Sequence, residues 1–166
     1  KIKFRESFRP FAPAVLAEEA HRWFEIDPSD ESDYMNYTAD LLPEKRKAIP
    51  SDLQGIRERL MFERCGIPSV VHVDFSARLQ TVRNSVHPDF HKLITAFHEL
   101  TGVPMIINTS FNVSGQPIVS TSQEAWNCFI HTDMDLLVLN ERVFRNPANK
   151  TQKEKISWLS QFAAHS

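Results

Sequence analysis

The sequence predicts an α/β fold in which helices pack on a mixed sheet. Three observations carry that prediction. Strand-like and helix-like segments alternate through the second half of the chain, as in a layered α/β domain. One helical segment, Pro88 to Thr101, gathers Phe90, Leu93, Ile94, Phe97 and Leu100 on one face, so it needs an apolar layer to cover. Several connections are too short for a parallel crossover, so some neighbouring strands must run antiparallel. The chain has 166 residues, 42% of them hydrophobic and 24% charged, which suits a single domain with a real core.

The elements follow in order. Residues 2–9 alternate basic and apolar side chains and predict an extended segment, broken by Pro10 and Pro13. Pro13 to Phe24 is predicted helical, with Val15, Leu16, Ala20, Trp23 and Phe24 on one face and Pro13 in the first turn. Residues 27–33 (DPSDESD) read as a solvated acidic loop, and residues 34–38 (YMNYT) as a short strand. Residues 40–68 are prolines and charges around one helical stretch, from about Leu53 to Arg64. Ser69 to Val73 reads as a β-branched strand and Ala77 to Val82 as another.

The helix over 88–101 stops at Gly102. A strand over Met105 to Asn108 leads into a run of small polar residues and then Pro117-Ile118-Val119. Thr121 to His131 is helical, with Thr121 as N-cap and Glu124 three residues on completing a capping box. Strands are expected over Asp135 to Leu139 and Arg142 to Arg145. A polar helix from Lys150 to Ala164 carries Ile156, Trp158, Leu159 and Phe162. There is no internal repeat.

Composition excludes some functions. The net charge of -2 gives no global basic field, so nucleic acid is an unlikely partner. No apolar run approaches the roughly 20 residues of a membrane span, so no membrane association is expected. Cys65 and Cys128 have no metal spacing and make a weak disulfide case, which points to a reducing, cytoplasmic setting. The chain opens on a dense basic motif without an initiator Met, so the expectation is a piece of a longer polypeptide.

Four groups of residues invite a chemical reading. Lys3 and Arg5 fall on one side of an extended segment, and Arg9 can join them. Such a group suits an anion, Arg for bidentate phosphate contact and Lys as a compact charge; a solvated basic edge strand is the alternative. The run from Asn108 to Gly115 offers Asn108, Thr109, Ser110, Asn112 and Ser114 at a strand end, where open α/β sheets bind ligands. The alternative there is a loop whose side chains cap its own backbone. It is neither a P-loop nor a dinucleotide fingerprint. His72 and Asp74 fall on one face of the strand expected at 69–73, and Arg78 and Gln80 on one face of the next, a polar lining suited to orientation or phosphate contact. His87, His91 and His98 have near-helical spacing, but no carboxylate or Cys completes a metal set, so a structural role is favoured.

Taken together, KFRESFRPFAPAVL, HVDFSARLQTV, FHKLITAFHELTGVPMIINTSFNVSGQPIV and DLLVLN resemble the C-terminal domain of the nodulation-type O-carbamoyltransferases, from about Lys3 to Arg145. That domain is similar in fold to the YrdC-like carbamoyl-adenylate synthases. The resemblance implies a YrdC-like twisted open mixed sheet with helices packed on it, a domain over 1–148, and a C-terminal helix or tail over 149–166. It implies a K-x-R on Lys3 and Arg5 as the catalytic cations. It places a nucleotide site on those two with Arg9, Arg78, Asn108, Ser110, Asn112 and Ser114; His72 and Asp74 are further candidates. Phe75 and Ser76 stand where that family usually has a small residue and Thr, and His87 where Asn is common.

The implied chemistry is formation of carbamoyl-adenylate from ATP and carbamoyl phosphate, with Mg2+ accompanying the ATP. An N-terminal domain of the same chain, absent from these residues and carrying its own iron-type metal site, would pass the carbamoyl group to an acceptor hydroxyl. No metal is expected in the present residues. Two other functions remain in view: a threonylcarbamoyl-adenylate synthase for tRNA modification, and a non-catalytic nucleotide- or RNA-binding module.

Overall fold

The computed structural model describes Lys3 and residues 9–53, 55–147 and 150–162. The chain forms two compact units, one of residues 7–109 and one of residues 1–6 with 110–166.

The first unit contains, in order, β1 (Ala12–Leu16), the single turn α1 (Ala17–Ala20), β2 (Tyr37–Asp40), a 3-10 turn at Pro43–Lys45, α2 (Ile56–Met61), β3 (Ser76–Val82), α3 (Pro88–Thr101) and β4 (Met105–Asn108). The strands form one sheet in the order β2-β3-β1-β4. β1 runs parallel to β3, with Ala14 opposite Gln80, while β2–β3 and β1–β4 are antiparallel. The sheet is therefore mixed, as predicted. Its alternation divides the core in two. Val15, Ala77, Leu79 and Met105 pack with Phe24, Leu41, Cys65, Val70 and Val71 on one face. Ala14, Leu16 and Val82 pack with Ile94 of α3 on the other.

Helix α3 has its predicted bounds, and its stop is explicit. Gly102 adopts φ +73° and gives its N–H to His98 O at 2.8 Å, the left-handed ending that glycine takes without a Cβ penalty. His91, read as structural, pairs its Nε2 with Glu18 Oε1 at 2.7 Å.

Three sequence expectations are corrected here. Residues 13–16 are strand rather than helix. All of Ala12–Leu16 is buried, and a strand covered on both faces loses its alternation and reads as an apolar run. Pro13 is tolerated at this place: Leu16 N–H bonds toward β4, at Pro104 O, so Pro13 falls on the opposite side, where pairing with β3 begins only at Ala14. Second, Ser69–Val73 is a turn and loop. Val70 and Val71 enter the core, but the chain reverses at 72–75, with His72 N–H bonding Ser76 O and Phe75 N–H bonding His72 O. Phe75 sits there at φ +70°, its half-buried ring facing Arg46 at 5.0 Å. Third, the acidic loop is solvated only in its first part. Ser32 is 1% exposed, donating from N–H to Thr81 Oγ1 and from its hydroxyl to Leu79 O, both at 2.8 Å. Asp33 and Glu31 both pair with Arg83. The short strand expected at 34–38 lies at 37–40, and the helix expected at 53–64 contracts to 56–61.

The second unit contains α4 (Ser122–Ile130), β5 (Leu136–Leu139), β6 (Arg142–Arg145) and α5 (Gln152–Ser160). β5 and β6 form an antiparallel sheet of their own. Phe129, Cys128, Val113 and Leu137 are buried, and Trp126 packs against Phe129 and Phe144. The predicted capping box is present: Thr121 Oγ1 accepts Glu124 N–H at 3.2 Å and Glu124 Oε2 accepts Thr121 N–H at 3.1 Å. The same reciprocal pair, Thr151 with Glu154, starts α5. The Trp158 ring of α5 stacks on His131 at 5.0 Å, and Lys155 bonds Asp133 at 2.8 Å.

Candidate functional site

Two polar constellations arise from the sequence-predicted residues, one in each unit.

In the first unit, register decides which side chains share a face. Arg78 lies opposite Thr38, Gln80 opposite Ala14 and Asn108 opposite Ala12. Alternation puts Thr38, Arg78, Gln80, Ala12, Ala14 and Asn108 on the face that α3 covers at its other end through Leu16, Val82 and Ile94. One sheet face is therefore apolar under α3 and polar beyond it. The alanines of β1 leave room for side chains from both flanks to meet above them: Asn108 Nδ2 reaches Gln80 Oε1 at 2.5 Å across the intervening strand. Arg78 and Thr38 are exposed at the edge of this area, while Gln80 and Asn108 are half-buried. Arg9 is exposed in a bend before β1.

His72 and Asp74 do not form the expected strand face, because the strand does not exist. Asp74 instead closes the turn into β3. Its Oδ1 accepts Ser76 Oγ–H at 2.8 Å and Ser76 N–H at 3.0 Å, and these two bonds hold its carboxyl below the ordinary range. That is a structural use of the carboxylate, served by the N–H and the hydroxyl of Ser76.

In the second unit, the loop after β4 is built around Asn112. Its Oδ1 accepts Ser110 Oγ–H at 2.6 Å and Lys3 Nζ–H at 2.7 Å, while its Nδ2 donates to Gln116 O at 2.8 Å. Lys3 Nζ also donates to Ser110 Oγ at 3.1 Å and to the Ser110 carbonyl. Gln116 returns a bond, its Oε1 accepting Val113 N–H at 3.2 Å. Val113 is buried beneath, and Val119 N–H closes the loop on Phe111 O at 2.9 Å. Lys3 is thus joined directly to Ser110 and Asn112. The bonds internal to the loop that the self-capping reading expects are present, and Lys3 bonds to the same Ser110 and Asn112 side chains. Ser114 is exposed, and Gly115 adopts φ +77°.

Arg5 lies outside the described residues. Gln116 was not singled out from the sequence. Its signal, a side chain three residues from a buried valine in a Gly-containing turn, is too common to select it. Cys128 is buried in this unit, and burial pushes its thiol up to about 11, with the Lys3 charge acting in the opposite sense. It is an inert thiol rather than a nucleophile. Among the described residues no group of three or more His, Cys, Asp or Glu could hold a metal ion. Among the same residues no helix is long and apolar enough to cross a membrane.

A lysine held by a Ser-x-Asn loop and a polar strand end are the features around which the family resemblance was drawn. A sequence profile described as the carbamoyltransferase C-terminus matches residues 1–146, and the chain belongs to that family. It is 43% identical over 165 residues to an uncharacterized protein of Synechocystis sp., covering 98% of this chain and 26% of that protein. It is 36% identical over 145 residues to nodulation protein NolNO of Sinorhizobium fredii, covering 87% of this chain and 19% of that one. It is 35% identical over 120 residues to the 3'-hydroxymethylcephem-O-carbamoyltransferase of Amycolatopsis lactamdurans, covering 72% of this chain and 19% of the enzyme. The chain thus spans between 19% and 26% of the length of these relatives.

Proposed function

We propose that this chain is the adenylate-forming part of an O-carbamoyltransferase, binding ATP with Mg2+ and carbamoyl phosphate and producing carbamoyl-adenylate. The observation that carries the reading is the Lys3 ammonium fixed on Ser110 and Asn112 in a chain of the carbamoyltransferase C-terminus family. Forming the adenylate joins a carbamate oxygen to the α-phosphorus of ATP and expels pyrophosphate. The carbamate becomes available when carbamoyl phosphate loses inorganic phosphate to water. Negative charge shifts onto the α-phosphate oxygens and the leaving pyrophosphate as the bond changes. A cation held in place before the reaction stabilises that charge without reorganising during it. Asn112 and Ser110 supply the holding. Arg5 is the further cation assigned to phosphate, and Mg2+ arrives as part of the nucleotide, bound by phosphate oxygens and water.

Transfer of the carbamoyl group to a hydroxyl acceptor is assigned to a separate N-terminal domain of a longer polypeptide, with its own iron-type metal. The lengths of the relatives support this division.

The test is a calorimetric titration of the chain with ATP and Mg2+, followed by a pyrophosphate-release assay. Release that depends on carbamoyl phosphate is the expected result. Release that depends instead on threonine and bicarbonate would assign the chain to threonylcarbamoyl-adenylate synthesis. Absence of ATP binding, both in this chain and in a longer polypeptide containing it, would overturn the proposal.

A further inference from the structure

The polar half of the sheet face in the first unit fixes the direction of one amide. Gln80 Nε2 donates to the backbone carbonyl of Asp33 at 3.1 Å, and Asn108 Nδ2 donates to Gln80 Oε1 at 2.5 Å. Chemistry alone sets these directions. A peptide carbonyl only accepts, so the Gln80 atom facing Asp33 O must be its nitrogen. Its oxygen therefore faces Asn108, and the Asn108 atom facing that oxygen must again be the nitrogen. The starting carbonyl is well anchored: the Asp33 carboxylate pairs with Arg83 at 2.7 Å, and Ser32 next to it is buried and bonded to Leu79 and Thr81 of β3. Asn108 Oδ1 has no donor among the described residues, and one N–H of its amide remains after the bond to Gln80.

We infer that Gln80 is a positioning residue for Asn108 and thereby sets what Asn108 recognises. The relay from Asp33 through Gln80 presents Oδ1, an acceptor, together with one N–H. The complementary ligand edge carries an N–H donor next to an acceptor. A phosphate group, which offers only acceptors at neutral pH, does not match it. For the choice of ligands this rests on the adenylate reading: the carbamoyl amide and the amino edge of adenine share this chemistry, whereas the triphosphate does not have it.

Two analogue pairs separate the sources. Acetyl phosphate replaces the carbamoyl amino group by methyl, and purine riboside triphosphate replaces the adenine amino group by hydrogen. The wild-type chain is expected to prefer the amino-bearing member of one pair by about tenfold, the worth of one hydrogen bond. In Gln80→Leu that preference falls to about one, while the affinity for the analogue lacking the donor stays as in wild type. Gln80→Glu is the second variant: its carboxylate loses the bond to Asp33 O but can only accept from Asn108, so the direction of the Asn108 amide and the preference are expected to remain. A wild-type preference that survives intact in Gln80→Leu, or is lost in Gln80→Glu, overturns the inference, as does equal binding of both members of both pairs by wild type. A ligand-free measurement keeps the two proposals apart. By NMR, one Asn108 side-chain amide proton should be protected from exchange in wild type and lose protection in Gln80→Leu. Protection without any ligand binding upholds the positioning by Gln80 and overturns the adenylate reading together with the ligand assignment. An unprotected Asn108 amide in wild type overturns the positioning itself.

Discussion

Asn112 illustrates how much one side chain settles in this molecule. One amide bonds a hydroxyl, an ammonium and a backbone carbonyl, so its removal takes one partner each from Ser110, Lys3 and Gln116. Asn112→Ala is expected to destabilise the second unit by about 1–3 kcal/mol, the range for unsatisfied partners left behind, and to weaken ATP binding by at least about tenfold. Ser110→Ala removes one acceptor from Lys3 and leaves the amide network in place, so it should weaken ATP binding with little change in stability. Urea unfolding combined with ATP calorimetry on both variants checks this. Equal ATP affinity in wild type and both variants would remove the loop from the site. At this scale the sequence revealed residue types and their spacing. It placed Lys3, Ser110 and Asn112 in one site, but nothing in the one-dimensional pattern showed that the lysine bonds the other two directly. It also assigned Asp74 a lining role that the structure gives to a turn.

Among elements, the helices with their own start and stop chemistry were the most legible. Helix α3 has Pro88 at its first position and Gly102 at its end; α4 and α5 have Thr–Glu capping boxes. Those boxes have a pH signature. Bonds from Ser120 and Thr121 hold the Glu124 carboxyl below its ordinary value of 4.5, and bonds from Thr151 do the same for Glu154. A depressed carboxyl contributes stability above its unfolded value, and that stability is lost as pH falls through the lower folded value. Helicity of the second unit should therefore decline as pH is lowered below about 4.5, and the decline should be shallower in Glu124→Gln with Glu154→Gln. Far-ultraviolet circular dichroism across that range is the measurement. Identical curves for variant and wild type would show that the boxes do not couple to pH. Thr121→Ala should cost about 1 kcal/mol through loss of the cap. Strands were less legible: β1 was read as helix because its five residues are all buried, whereas β3, with its alternating pattern, was found within one residue.

For the whole molecule, the packing of the second unit turns on a glycine. A Cβ on Gly115 would stand 2.1 Å from the carbonyl oxygen of Phe162, so contact excludes a side chain, and φ +77° disfavours one. Gly115→Ala should displace the C-terminal end of α5, break the stack of Trp158 on His131 and expose Lys155 to trypsin. Faster tryptic cleavage there and a red-shifted tryptophan emission are the expected results; an unchanged digestion pattern would mean that the backbone of 160–162 yields freely. In the first unit, Ile94→Ala should cost about 2–5 kcal/mol, because Ile94 is fully buried between α3 and the sheet.

By itself the sequence determined the α/β class, the bounds of α3 and β4, the capping box of α4 and the residue types of both polar constellations. Each is written in local signals: periodicity, caps, and short polar side chains after a strand. Only the tertiary structure decided that 12–16 is a central strand, that β5 and β6 form their own sheet, and that Gln80 meets Asn108 across the alanines of β1. Those outcomes depend on which distant segments pair, and local patterns do not encode that choice.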